Sequence, residues 1–166
     1  MPPRVVLVGP MGAGKTTVAG LLGKAWQLPV RDSDADIVAS QGREVSDIFV
    51  ESGEDHFRAL EVAAVEQALA EHEGVLALGG GAVLDLRTRE LLADHTVVFL
   101  RVGLSEAVKR VGLGVGRPML LGNIRSRVKA LLDERTPVYE SVATHAVDTD
   151  NRSPEDVAAE IQELLG

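Results

Sequence analysis

Gly9, Gly12, Gly14, Lys15 and Thr16 sit in the segment VVLVGPMGAGKTTVAGLLGK, where a β-branched apolar run from Val5 to Val8 leads into a glycine-rich bend and then into an apolar-periodic stretch. Strand, loop and helix in that order are the setting in which a P-loop holds phosphate. Glycines let the backbone curl so that successive N–H groups point inward, and the helix N-terminus adds the positive end of its dipole. Gly12, Ala13 and Gly14 supply that backbone, Lys15 reaches the β and γ phosphates, Thr16 offers a hydroxyl to Mg2+, and Thr17 bonds a phosphate nearer the sugar. The competing reading, a glycine-rich turn that only begins a helix, leaves the Lys-Thr pair unexplained. The implied chemistry is binding of ATP and movement of its terminal phosphoryl group.

Further along, PVRDSDADI enters extended and carries Asp32 and Asp34. On a parallel sheet these lie at the carboxyl end of a strand, the edge on which the P-loop opens. Alternate residues of an extended chain face one way, so Asp32 can turn to Mg2+ through water and Asp34 to an acceptor hydroxyl. Equally, Asp34 or Ser33 could simply cap a helix running through Ser40.

Phe49, Phe57 and Arg58 could floor a small anion site, or Arg58 could pair with Glu54 or Glu61 at helical spacing. Gly79, Gly80 and Gly81 follow a third apolar run and can expose N–H groups or admit a substrate closely. Arg117, before Pro118, lies in a glycine-rich stretch from Gly112 to Asn123 that reads as a mobile lid, and a lid arginine neutralises charge on a transferring phosphoryl group. Arg135, two residues before Pro137, is a candidate anion ligand or a dipole-favourable charge ending a helix.

These residues need a scaffold. Val5 to Val8, Val75 to Leu78, Thr96 to Leu100 and, more weakly, Ala146 to Val147 read as strands buried on both faces. Between them run helical patterns at Thr16 to Trp26, Glu54 to Glu71, Asp85 to Ala93, Leu104 to Val111, Ile124 to Leu132 and Pro154 to Leu165. Alternation of the two predicts an α/β fold.

A chain of 166 residues with 45% hydrophobic content has material for one core, hence a single domain over residues 1–166. A net charge of −8 argues against nucleic acid as partner, and the four histidines lack metal-ligand spacing. Absence of cysteine and of any long apolar run fits a cytoplasmic protein with no membrane association. With no surplus apolar face in view, a monomer is expected. Its basic residues are 13 arginines against four lysines, and arginine grips phosphate and carboxylate with paired hydrogen bonds.

With GPMGAGKTT, DSDADI, Phe57-Arg58, LGGGAV, GRPML, ERTPVY and DNRSP in this order, the chain resembles the shikimate kinases from Val5 to its C-terminal helix. The resemblance implies a three-layer fold of P-loop NTPase type, with a five-stranded parallel sheet, a substrate-binding helical insert at about residues 33–61 and a lid at about residues 112–124. It also implies transfer of the γ-phosphoryl group of ATP, with Mg2+, to the 3-hydroxyl of shikimate on the way to chorismate and aromatic amino acids. By matching position, Asp34, Arg58, Gly80 and Arg135 would hold shikimate, the two arginines on its carboxylate, and Gly79 and Gly81 would complete that wall. Thr16 and water-linked Asp32 would hold the metal, Lys15 and Arg117 would face the phosphates, and Arg110 and Arg152 would flank adenine. Family members often read Arg-Pro-Leu-Leu where this chain has Arg117, Pro118, Met119 and Leu120, a volume-conserving exchange.

Two other readings use the same loop. A gluconate or nucleoside monophosphate kinase would share the scaffold, but two arginines opposite Asp34 favour an acidic polyol. A P-loop regulator without transfer would have no use for Arg58 and Arg135.

Overall fold

The structure, a computed structural model, describes residues 3–10, 12–112 and 121–166, with backbone alone at 111–112 and 121–123. Its centre is β1 (Val5–Val8), an apolar tetrapeptide whose side chains go alternately to opposite faces of the sheet. Val5 and Leu7 join one core cluster, and Val6 and Val8 the other. Both faces are therefore dry, as the unbroken β-branched run requires.

Around β1 are β2 (Val30–Asp32), β3 (Val75–Ala77), β4 (Val97–Arg101) and β5 (His145–Asp148), all parallel in the order β2-β3-β1-β4-β5. The chain leaves β1, crosses to the far edge, returns to β3 and then passes to the other side of β1. The carboxyl ends of β1 and its neighbours thus border the crevice where open α/β sheets bind ligands.

One face is covered by α1 (Lys15–Trp26) and α8 (Pro154–Leu165), through Val18, Ala19, Leu22, Val157, Ala158 and Ile161. The other carries α4 (Glu54–Glu71), α5 (Leu86–Leu92) and α7 (Leu121–Val142), through Val65, Ala68, Leu69, Leu92 and Tyr139. Between β2 and α4 come α2 (Ser33–Gln41) and α3 (Val45–Ser52). These pack with the start of α4 around a separate small core of Ile37, Ile48 and Phe57. A further helix, α6 (Leu104–Gly112), follows β4.

Two sequence expectations change here. The helical segment expected over Ile124 to Leu132 begins at Leu121 and runs to Val142, with Pro137 inside it. An internal proline removes one helical hydrogen bond and costs about 3 kcal/mol. Beyond it, Tyr139 is buried, stacks at 5.1 Å on Phe99 of β4, and donates its hydroxyl to the Gly80 carbonyl. That tertiary anchoring carries the helix past the proline. Consequently the two ends of the stretch expected as a lid are helical, Gly112 closing α6 and residues 121–124 opening α7. Arg117, with the rest of 113–120, lies outside the described residues.

Candidate active site

The P-loop crosses from β1 to α1 at the carboxyl edge of the sheet. Gly14 is the N-cap of α1 at φ 91°, a left-handed conformation that a side chain would strain. No side chain caps α1, and its first turn holds no acid. By contrast Asp32, Asp85 and Ser153 cap α2, α5 and α8. The N–H groups of α1 are thus left for an anion.

Lys15 Nζ donates to the carbonyls of Gly9 and Pro10 at 2.6 and 3.0 Å. Burial lowers its pKa to about 8, with Asp34 and Asp32 pulling the other way. Among the described residues the ammonium binds two carbonyls, which leaves one of its three donors for phosphate.

Asp32 and Asp34 do not sit on one extended segment, as the sequence suggested. Asp32 ends β2 and is itself the N-cap of α2, its Oδ1 accepting from the N–H groups of Asp34 and Ala35 at 2.8 and 3.2 Å. Asp34 stands in the first turn of that helix. The capping alternative was right in kind and wrong in residue: neither Ser33 nor Asp34 is the cap. Ser33 is fully buried, and its Oγ accepts from the Gly79 N–H at 3.0 Å, tying the helix start to the glycine turn.

A cavity of about 310 Å³ brings Gly12, Gly14, Lys15, Thr16, Thr17, Asp32, Asp34, Gly79 and Gly80 together. Asp34 Oδ1 is buried there without a hydrogen-bond partner among the described residues. Burial first, and the Asp32 charge second, push the Asp34 carboxyl above its usual range, against Lys15 and Arg58.

Glycine is needed in that wall because side chains are packed on it. A Cβ on Gly79 would stand 2.5 Å from Asp34 Oδ1, and one on Gly81 would stand 2.7 Å from the Arg58 guanidinium. Gly80 offers its carbonyl to Tyr139. Gly79 and Gly81 therefore let two site side chains lie flat against the turn.

Arg58 makes the ion pairs of one sequence reading and lies beside the two rings named in the other. It pairs with Glu61 at 2.7 Å and Glu54 at 3.6 Å. It also lies 5.6 and 5.4 Å from the ring centres of Phe49 and Phe57, which are 4.6 Å apart. Glu61 is 1% exposed, and burial raises its carboxyl pKa against the pull of Arg58. Ion pair and aromatic floor together fix the direction of the guanidinium.

Arg135 is a correction. Rather than ending a helix, it lies well inside α7, so the dipole explanation of its charge fails. Its Nε is buried with no hydrogen-bond partner among the described residues. Its charge acts on Lys15, and a buried donor left open beside that residue is available to an anion.

A second cavity, about 280 Å³, shares Gly12, Gly14 and Thr17 with the first and is otherwise bounded by Ala13, Val18, Arg110, Thr149, Arg152, Pro154 and Val157. Arg110 donates to the Gly12 carbonyl at 2.7 Å and pairs with Glu106 at 3.3 Å. Arg152 donates to the Asp148 carbonyl at 2.9 Å and pairs with Glu160 at 2.8 Å. The P-loop is thus flanked by a chamber that carries Lys15, Asp32 and Asp34 and by a less polar one walled by Arg110 and Arg152, a plan suited to phosphate between an acceptor and a base.

A family model described as shikimate kinase matches residues 11–166. The chain is 54% identical over 165 residues to a shikimate kinase of Salinispora arenicola, covering 99% of both chains. The chain belongs to the shikimate kinase family. Among solved structures it is similar to shikimate kinase from Acinetobacter baumannii in complex with shikimate, with a TM-score of 0.90 and 34% identity over 99% of this chain and 93% of that one. A gluconokinase from Sinorhizobium meliloti, at a TM-score of 0.67 and 23% identity over 99% of this chain and 91% of that one, shares the fold.

The family's chemistry is transfer of phosphate from ATP with Mg2+. The site fits that ion. Thr16 and Asp32 border the same cavity, and Asp32 spends only Oδ1 on its cap. Among the described residues no cluster of three or more His, Cys, Asp or Glu forms a protein-only cage. Mg2+ prefers one or two protein oxygens with water and phosphate. Among the described residues no helix is long and apolar enough to cross a membrane.

Sequence reasoning missed several supporting residues of this family site. Glu61 entered only as a partner competing for Arg58, and Ser33 only as a possible cap. Tyr139, Thr149 and Asp85 were given no role. A buried-acid position one turn after Arg58 was the one available signal for Glu61. The contacts of Ser33 and Tyr139 span 46 and 59 residues and leave no local trace.

Proposed function

We propose that this chain transfers the γ-phosphoryl group of ATP to the 3-hydroxyl of shikimate, with Asp34 orienting the acceptor and Arg58 and Arg135 holding its carboxylate. The observation that carries this reading is the pair of buried atoms without a hydrogen-bond partner among the described residues, Asp34 Oδ1 in the wall of the P-loop cavity and Arg135 Nε, on a side chain whose charge acts on Lys15. A carboxylate oxygen and a guanidinium N–H left open suit a ligand that carries both hydroxyl and carboxylate.

Bound Mg-ATP supplies the phosphoryl group and much of the charge neutralisation on it. Gly12 to Thr17 wrap the phosphates, with Thr16 and, through water, Asp32 toward the metal. Asp34 accepts a hydrogen bond from the acceptor hydroxyl and takes its proton late, because a loose transition state needs orientation more than prior deprotonation. Lys15 and Arg117 face the charge that spreads over the transferring group. Gly79 to Gly81 form the wall against which the ring lies. Arg110 and Arg152, held by their N–H edges to protein carbonyls and acids, offer adenine their faces. The reading further assigns one catalytic unit with an insert at about 33–61 and a closing lid at about 112–124, working as a cytoplasmic monomer without nucleic acid or membrane as partner.

Coupled ADP release with Mg-ATP and a panel of shikimate, gluconate and nucleoside monophosphates tests it, run on the parent and on Asp34→Asn. Shikimate-dependent release that falls by about 100-fold or more in the variant is the expected result. Turnover with gluconate or a nucleotide, or an unimpaired variant, overturns the acceptor or the role of Asp34.

A further inference from the structure

A third cavity, about 360 Å³, has Arg58 in its wall together with Glu54, Asp55, Leu84, Asp85 and Arg87. Asp85 is the N-cap of α5, its Oδ1 accepting from the Arg87 N–H at 2.9 Å. The Arg87 side chain then folds back over the same carboxylate, Nε to Oδ1 at 3.1 Å and a terminal nitrogen to Oδ2 at 2.8 Å. Asp85 is 16% exposed and Arg87 62%. The Asp85 carboxylate caps α5 through the Arg87 backbone N–H, so the helix does not need the guanidinium, and an ion pair with so exposed an arginine contributes little stability.

Its surroundings give it another use. Arg58 already has Glu61 and Glu54 as partners, and the charges of Asp34 and Asp85 also act on or are acted on by Arg58. Asp85 is close enough to act on Glu61 as well. A substrate carboxylate approaching Arg58 therefore enters a place crowded with acids. We infer that Arg87 is a positioning residue for the carboxylate end of the site: its two-point clamp on Asp85 cancels a negative charge that otherwise opposes the incoming carboxylate at Arg58. The inference rests on the reading above that Arg58 holds the substrate carboxylate.

Steady-state kinetics with Mg-ATP and shikimate on the parent, Arg87→Ala, Arg87→Lys, Asp85→Asn and Asp85→Asn/Arg87→Ala tests it. Asparagine caps helices as well as aspartate, so the second site can be neutralised without loosening α5. Arg87→Ala is expected to raise KM for shikimate about three- to tenfold, the size of one unscreened charge near the protein surface, with kcat and KM for ATP unchanged. The increase should shrink as ionic strength rises and be partly rescued in Arg87→Lys. In the Asp85→Asn background, Arg87→Ala should add nothing.

An unmoved KM in Arg87→Ala overturns the inference. So does an equal increase with Asp85 neutralised, which would mean that Arg87 meets the substrate directly, or a fall in kcat with lowered thermal stability, which would mean a structural role. Inactivity of the parent toward shikimate defeats the functional reading and the inference with it, whereas an active parent with a failed Arg87 prediction defeats the inference alone.

Discussion

Gly79→Ala asks whether the glycine turn exists to seat Asp34. Gly79 does not have a left-handed φ, so alanine is conformationally acceptable there and the perturbation is purely one of space. Its Cβ would stand 2.5 Å from Asp34 Oδ1, and ordinary contact begins near 3.4 Å. The carboxylate must therefore retreat by about 1 Å, a misplacement that costs roughly 100-fold in rate when the moved group orients the reacting atom. Ser33 still accepts from the residue-79 N–H, so the helix start stays tied. Expected from initial-rate assays is a fall of about 100-fold in kcat/KM for shikimate, with ATP affinity by titration unchanged. Gly20→Ala is the control: no atom lies within 4 Å of its Cβ. It should leave kinetics alone and stabilise α1 by about 0.5–1 kcal/mol. Near-parental turnover in Gly79→Ala would refute the reasoning, since a displaced Asp34 would then be as good as a seated one.

Asp32 caps α2 and, in the proposed reading, also faces Mg2+ through water, and different substitutions separate the two. Asp32→Asn keeps the cap and should leave the melting temperature within about 2 °C while raising the Mg2+ concentration needed for half-maximal rate; Asp32→Ala should add a loss of about 1 kcal/mol in denaturant unfolding. The pH profile follows from two shifted groups. Lys15 is charged below about pH 8, so kcat/KM for ATP should hold at neutral pH and decline above about 8, and a profile flat to pH 10 contradicts that burial. Because the Asp34 pKa is raised, the acid limb of kcat/KM for shikimate should lie above the usual aspartate range, and Asp34→Asn should abolish it.

How far the sequence could be read depended on whether the cause was local. Val5 to Val8 declares a doubly buried strand by composition, and the P-loop declares its ligand because the chemistry needs those residues consecutively. Asp32 and Asp34 were legible as a pair at the sheet edge, but their division of labour was not. Which acid caps α2 depends on where β2 ends, and that is settled by pairing of Asp32 with Ala77 of β3. For Arg58 the sequence offered an ion pair or an aromatic floor, and packing allowed both. At Arg135 the neighbouring Pro137 argued for a helix end, whereas burial of Tyr139 against Phe99 outweighed the local penalty. Contacts such as Tyr139 to Gly80 depend on the assembled fold and have no counterpart in spacing.

The small core of Ile37, Ile48 and Phe57 stands apart from the two clusters that sandwich the sheet. Modest changes at distant, independently packed positions add rather than compound. Repacking under Phe57 can therefore tilt Arg58 and reshape what the cleft accepts while the layer of Val18, Leu22 and Ile161 behind the P-loop goes on as before. Such a division makes the protein evolvable in one direction in particular: the acceptor can drift among small hydroxylated acids by exchanging a few insert residues, and the donor stays constant throughout.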